Sequence, residues 1–189
     1  EKNQLTRITS FTTYDVASYR WISNSRLILN LGDETKGLAE QRGGGLFALN
    51  ADGSQPKELS PTFEACGARI QICRQTRFIR RIAGSEDEVI ASANERDYRT
   101  EDIYRLNTKT GRKTLLTTDN PGRVSRWVID QNNVPRAAES EDGKTRTVTF
   151  WFRDSATTPW RKISSVQGEA QRVKPADFDA DGSLLVFSN

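Results

Sequence analysis

The chain has 189 residues, with 28 Lys and Arg against 25 Asp and Glu, and it contains no His and no Met. Without an imidazole it can build no Ser-His-Asp triad, no Cys-His dyad and no His-ligated metal site. Its longest apolar runs are a few residues, too short for a transmembrane helix, and its first residues show no signal-peptide pattern. The length suits about one domain with a real core, and the net charge of +3 gives an ordinary mixed-sign surface. A chain that starts at Glu1 and lacks Met reads as a processed or truncated piece of something larger.

Helical periodicity is almost absent. Short runs of Val, Ile, Leu, Thr and aromatic residues alternate with Gly, Asn, Asp and Pro, which is the pattern of many short strands. In chain order these runs fall at 19–22, 26–31, 46–50, 88–93, 103–107, 113–117, 125–129, 147–153, 161–164 and 184–187. Between them lie Ala51-Asp52-Gly53, Lys109-Thr110-Gly111, Asp142-Gly143 and Asp181-Gly182, which reach positive φ cheaply and suit tight hairpins.

The runs repeat. An aromatic strand, a polar turn and an apolar strand appear at 19–29, 125–134 and 176–187, with Trp21, Trp127 and Phe178 as the repeat's core aromatics. A weaker copy at 82–90 lacks the aromatic. A second unit, a strand closing on a hairpin, ends at Asn50, Asn107 and Asp154, which lie 57 and 47 residues apart. A period of about 45–50 residues holding four strands is the arithmetic of a β-propeller blade. The expected fold is therefore all-β, an incomplete β-propeller over 1–189 with about three to four blades. The blades are placed at 16–62, 80–118 and 123–165, with a half blade at 171–189. Residues 4–8 would form the last strand of a preceding blade, and 63–77 would be an insertion.

Four stretches, "VASYRWISNSRLILNLGDE", "GLFALNADGSQPKELSP", "DIYRLNTKTGRKTLLTTDNPG" and "VSRWVIDQNNVPRAAESEDG", resemble the N-terminal propeller of prolyl oligopeptidase family serine peptidases. Within that family they look like the bacterial dipeptidyl- or acylaminoacyl-peptidase-like members, and the resemblance covers about residues 14–187. The same motifs occur in other propellers, including periplasmic ones of the TolB type. The resemblance implies a propeller that gates peptide access to a C-terminal α/β-hydrolase domain. That domain is missing here, since the chain has no G-x-S-x-G elbow and no His. None of the family's catalytic residues can be placed, so the implied role is non-catalytic, with peptide substrate reached through a parent enzyme. The alternative is a stand-alone propeller acting as a protein-binding scaffold.

Cys66 and Cys73 bracket six residues, with no further metal ligands nearby. They form either a local disulfide or a pair of reduced core thiols. A disulfide would place the chain in an oxidising compartment, periplasmic or secreted, and would add about 2–3 kcal/mol in the chain-entropy view. Arg69, Arg74, Arg77, Arg80 and Arg81 have no acid among them. They read as an exposed loop of snorkelling Arg stems, because only Phe78 could serve as a stacking platform for nucleic acid.

Asp177, Asp179 and Asp181 match the D-x-D-x-D-G opening of a calcium loop, but Ser188 stands where such a loop needs Glu. The equivalent positions of the other repeats are plain turns, and that is the reading adopted. No cofactor is implied. Gly43-Gly44-Gly45 lacks the Lys of a phosphate loop and reads as a flexible loop leading into a strand. The stretches Glu139, Glu141, Asp142 and Glu86, Asp87, Glu88 read as hairpin tips. Ser18 and Ser125 read as packing or turn residues, with no base to activate them. An open stack of blades also leaves unpaired edges, so self-association is expected.

Overall fold

Strands with apolar residues at every position need cover on both faces. Arg26–Gly32 and Gly44–Asn50, with Leu27-Ile28-Leu29 and Leu46-Phe47-Ala48-Leu49 at their centres, are such strands. The computed structural model describes residues 5–32, 44–67, 73–168 and 173–188. Within them the first four strands are β1 (Asp15–Trp21), β2 (Arg26–Gly32), β3 (Gly44–Asn50) and β4 (Lys57–Thr62). They pair antiparallel in the order β1-β2-β3-β4. One helical turn, α1 (Phe63–Cys66), follows, capped by Thr62 Oγ1 accepting from Ala65 N at 3.2 Å.

The second sheet holds β5 (Thr76–Arg81), β6 (Glu88–Asp97), β7 (Thr100–Asn107) and β8 (Lys113–Leu115), in that order. The third holds β9 (Val124–Ile129), β10 (Pro135–Asp142), β11 (Thr147–Phe152) and β12 (Arg161–Gln167), again with chain neighbours paired. A two-stranded hairpin, β13 (Val173–Phe178) and β14 (Leu184–Ser188), comes last. The architecture is thus all-β, with repeated four-stranded antiparallel sheets.

The chain divides into two compact units. The first comprises Glu1–Ala93 and Arg105–Thr114, the second Asn94–Tyr104 and Leu115–Asn189. In the first unit the pleat sorts the apolar residues of β2 and β3 onto two faces. Ile28, Leu46 and Ala48 lie on one face with Leu59, Val89, Ala91 and Leu106. Leu27, Leu29 and Leu49 lie on the other, where Val16, Phe47, Ile8 and Phe11 pack on them. The Phe11 and Phe47 rings meet edge-on at 5.2 Å. In the second unit Val128, Ala137, Phe150 and Phe178 form the core, with Phe152, Val173 and Leu184 against them.

The turns carry the residues their geometry needs. Asn107 Oδ1 accepts from the N–H groups of Lys109 and Thr110, at 3.1 and 2.9 Å, and Gly111 takes φ 79°. Gly53 takes φ 82°, and a Cβ there would meet the Ile8 carbonyl oxygen at 3.1 Å. Glycine is therefore required twice over at that position.

Several details differ from the expectation. Residues 5–8 form no strand; Ile8 instead covers a sheet face. Gln4, the first residue of that expected strand, lies outside the described residues, as do Gly43, Arg69, residues 171–172 and Asn189. The insertion ends sooner than expected, because β5 begins at Thr76, ahead of the expected blade start at 80. Arg77, Arg80 and Arg81 accordingly sit on a strand, where a loop was expected. β4, β5 and β10 lie outside the apolar runs, although four-strand blades at 16–62, 80–118 and 123–165 imply a strand near each. Each has weak local preference: β4 holds Pro61, β5 is half Arg, and β10 is rich in Ala and Glu. Pairing with neighbours overrides that preference. Glu139 is buried on β10, one strand over from β9 and β11, and is no hairpin tip.

Leu46 is almost wholly buried in the larger core. Leu46→Ala should lower the unfolding free energy by roughly 2–5 kcal/mol, read from urea denaturation.

Candidate functional site

In each four-stranded meander the turn after the first strand and the turn after the third lie at the same end. In the first unit, one buried arginine ties these turns together. Arg26, the first residue of β2, is 1% exposed. Its Nη1 donates to Asn50 Oδ1 at 2.9 Å and to the Gln55 carbonyl at 3.3 Å, both in the β3–β4 turn. Its Nε and Nη2 donate to Oγ1 and the carbonyl of Thr108, at 2.9 and 2.6 Å, in the β7–β8 turn. Thr108 Oγ1 then donates to the Asp87 carbonyl at 2.8 Å, and Lys109 Nζ pairs with Asp87 at 2.9 Å. The β5–β6 turn is thereby held as well. Burial pushes the Arg26 guanidinium down from its ordinary range, and the nearby Asp87 charge opposes this.

On this braced end lies an open cleft of about 350 Å³. Trp21 at the end of β1, with Ser23 and Asn24 of the β1–β2 turn, lines one side; Arg81 at the end of β5, with Ser85 and Glu86 of the β5–β6 turn, lines the other. Buried Ile22 contributes to the wall. Trp21 is 47% exposed, so this repeat aromatic is a surface residue. The cause is its place at the end of β1, an outer strand of its sheet. Among the described residues the side chains of Arg81 and Glu86 make no hydrogen bond or ion pair. The cleft thus offers a free cation, a free anion and an exposed indole on rigid backbone. Ser85 Oγ already accepts from Glu88 N at 2.9 Å, and Ser23 Oγ faces Ser25 Oγ at 3.5 Å. The set offers groups that can bind a ligand of mixed charge and apolar character, and the chain has no imidazole.

The other candidates prove structural. Trp127 is half-buried, and its Nε1 donates to the Glu101 carbonyl at 2.7 Å. Phe178 is buried, and the Arg136 guanidinium lies 4.7 Å from its ring centre. The acids of the last hairpin do not converge on a point. Asp177 accepts from Phe178 N, Asp179 from Ala180 N and Asp181 from Ser183 N, at 2.8, 2.6 and 2.7 Å. The bonds from the Ser183 backbone and side chain hold the Asp181 carboxyl below its usual value. Among the described residues no group of three or more His, Cys, Asp or Glu could hold a metal ion.

Cys66 and Cys73 are joined in a disulfide, with Cα atoms 5.7 Å apart, and Gln75 Nε2 donates toward Cys73 Sγ at 2.9 Å. Ser18 Oγ accepts from Asn30 and Ser125 Oγ donates to the Glu139 carbonyl, which makes both packing residues. Of the Arg run, Arg74, Arg77 and Arg80 are engaged with other groups. Gly44 and Gly45 lie in β3 with φ near 98° and 96°.

Two polar clusters in the second unit carry no sequence motif. Asp102 is 1% exposed and accepts from Arg96 Nε and Nη2, Thr117 Oγ1 and Asn120 Nδ2, at 2.7–2.9 Å. Burial alone would raise its pKa, but these donors outweigh burial and hold the carboxyl below its ordinary value of 3.8. Arg153, also 1% exposed, donates to Asp119 and the Pro135 carbonyl and stacks 4.4 Å from the Trp160 ring centre. A wider depression of about 690 Å³ borders the β10–β11 hairpin, but its Asp142 is occupied by Lys144 N and Thr145 N. The chain matches no protein-family model, no curated protein and no solved structure.

Two outcomes follow for the braces. Arg26→Met strands Thr108 and Asn50 oxygens without donors, and should cost roughly 2–4 kcal/mol in urea unfolding. For Asp102 the folded pKa is depressed, so its contribution is present above 3.8 and is lost as pH falls through the folded value. Asp102→Asn should destabilise at pH 7 by roughly 1.5–3 kcal/mol and flatten the acid limb of a stability–pH curve.

Proposed function

We propose that this chain is a non-catalytic recognition segment of a β-propeller, which binds peptide in the turn-end cleft of Trp21, Arg81 and Glu86. The observation that carries the reading is a cleft with an exposed indole and two unpaired charges of opposite sign, on turns locked by Arg26, in a chain without His. A peptide presents both charge signs and apolar side chains, and an indole gives contact area at small entropic cost. Three successive four-stranded meanders followed by a half repeat support the propeller reading. The resemblance to prolyl oligopeptidase propellers supports a role in a serine peptidase, gating peptides toward a hydrolase domain supplied by the parent. The Cys66–Cys73 disulfide favours an oxidising, periplasmic or secreted setting.

A protein-binding scaffold is the second reading, favoured by the same cleft if its ligand is a folded partner's loop. The coding sequence after Asn189 separates the two. A G-x-S-x-G elbow and a late His point to the peptidase, and further blades followed by a stop point to the scaffold.

The chain itself should turn over no chromogenic dipeptide substrate, yet peptides carrying a free terminus should change its tryptophan fluorescence on binding. Trp21→Ala and Arg81→Ala should each weaken that binding by roughly tenfold. Because Trp21 is about half exposed, its replacement should change the unfolding free energy by no more than about 0.5 kcal/mol. Turnover by the purified chain, or binding that survives both substitutions, would remove this reading.

A further inference from the structure

We infer that the Cys66–Cys73 disulfide is an exchange site for external thiols, at which Cys66 accepts the incoming sulfur and Cys73 is the leaving group. Cys66 closes α1 and Cys73 lies just ahead of β5, and both are half-buried. A disulfide exchanges by attack of a thiolate on one of its two sulfurs. Which one is attacked depends on access and on which partner leaves more readily.

The two sulfurs are not equivalent. Gln75 Nε2 donates toward Cys73 Sγ at 2.9 Å but lies 3.6 Å from Cys66 Sγ. An N–H aimed at a sulfur stabilises the negative charge that the sulfur gains on leaving. The amide is held in place by β4: its Oε1 accepts from Ser60 Oγ at 3.3 Å, and its Nε2 reaches the Pro61 carbonyl at 3.4 Å. Ser60 Oγ accepts in turn from Thr76 N at 2.9 Å, and Ser60 and Thr76 are both buried. Access favours the other sulfur. Gly67, next to Cys66, is exposed, and a Cβ there would meet nothing within 4 Å among the described residues. An incoming thiol therefore has open space beside Cys66, and the departing charge has its donor at Cys73.

The external thiolate forms a new S–S bond with Cys66 Sγ. The Cys66–Cys73 bond breaks, and its electron pair goes to Cys73 Sγ, which takes a proton from solvent. A second thiol attacks the external sulfur of the mixed disulfide and releases Cys66. Two thiols are thereby oxidised to one disulfide, and the protein's disulfide is reduced by two electrons.

Opening the bond leaves its surroundings standing. The bonds among Ser60, Gln75 and Thr76 do not run through the sulfurs. Thr62 caps α1, and Tyr14 Oη donates to Glu64 Oε2 at 2.7 Å. The cysteines are also only 7 apart in sequence, and short rings constrain the unfolded chain least. The pair can thus open and close within a folded chain.

Brief exposure of the folded chain to reduced glutathione, a quench with N-ethylmaleimide and peptide mass mapping test this. The glutathione should sit on Cys66 and the maleimide on Cys73. Dithiothreitol should reduce the folded chain with its circular dichroism unchanged. Gln75→Leu removes the donor and should slow that reduction roughly fivefold in the folded chain, but not in urea. Glutathione spread evenly over both cysteines, or found mainly on Cys73, overturns the inference. So does a folded chain that resists reduction until urea unfolds it, or a folded Gln75→Leu reduced as fast as the wild type. The wild-type adduct decides even if Gln75→Leu loses its fold. None of these outcomes touches the peptide reading, because the disulfide lies near Thr76, at the other end of β5 from Arg81.

Discussion

A β-sheet has two faces, and a four-stranded sheet of this size cannot cover either by itself. The first sheet makes the consequence plain. β2 and β3 carry leucine, isoleucine and phenylalanine at consecutive positions, so both faces must be hidden. One face is hidden by residues of β6 and β7, the other by Ile8 and Phe11. Each fully buried leucine or isoleucine contributes about 1.5–3 kcal/mol, so the covering segments stabilise the sheet as much as its own ladders do. The second unit solves the same problem with Val173, Phe178 and Leu184 of the final hairpin set against Val128, Ala137 and Phe150. Repetition of sheets along the chain is therefore a requirement of the burial pattern.

Apolar contact is nondirectional and would let stacked sheets slide. Arginines at corresponding places supply the direction. Arg26 opens β2 and reaches the β7–β8 turn; Arg136, second in β10, donates to the Gly182 carbonyl at 3.3 Å in the β13–β14 turn. Arg136 also lies over the Phe152 and Phe178 rings, at 5.4 and 4.7 Å. In each case a planar cation near the start of a second strand grips a turn of a later repeat. A guanidinium does this where lysine would not, because its fixed fork can serve several acceptors at once. Through Thr108 the Arg26 brace also reaches the Asp87 carbonyl in the β5–β6 turn, beside Glu86, so one wall of the cleft is tied to the later repeat.

Much of this was legible in the sequence, and the failures have physical causes. The period in Trp21, Trp127 and Phe178, with hairpins at Asn50, Asn107 and Asp154, announced repeated strands, since turn chemistry and apolar runs are local signals. β10 follows from the repeat unit at 125–134 and not from its own composition, because PRAAESED reads as helix or loop and its two strand neighbours make it extended. Trp21 was read as core because it aligns with Trp127 and Phe178, but alignment in a repeat says nothing about which strand lies outside. The Asp102 cluster drew no notice, because its donors come from residues 96, 117 and 120, which no motif connects. Arg26 had one available signal: an arginine immediately after a Ser-Asn-Ser turn and immediately before a run of three buried aliphatics is a cation headed indoors.

The same accounting separates recognition from structure among the charged residues. Asp102, Arg26 and Arg153 are buried and engaged, and removing any of them leaves a partner stranded in low dielectric. Such groups are too committed to meet a ligand. Arg81 at the end of β5 and Glu86 in the β5–β6 turn are exposed, and their side chains have no partner among the described residues, although a few residues separate them in sequence. Two opposite charges so close in a turn could have paired with each other, and a pair would have been neutral to binding. Left apart beside an exposed indole, they keep their desolvation cost small in the free protein and keep their hydrogen-bonding capacity for whatever arrives. That is the physical distinction between a charge that holds a fold together and one that is held out by it.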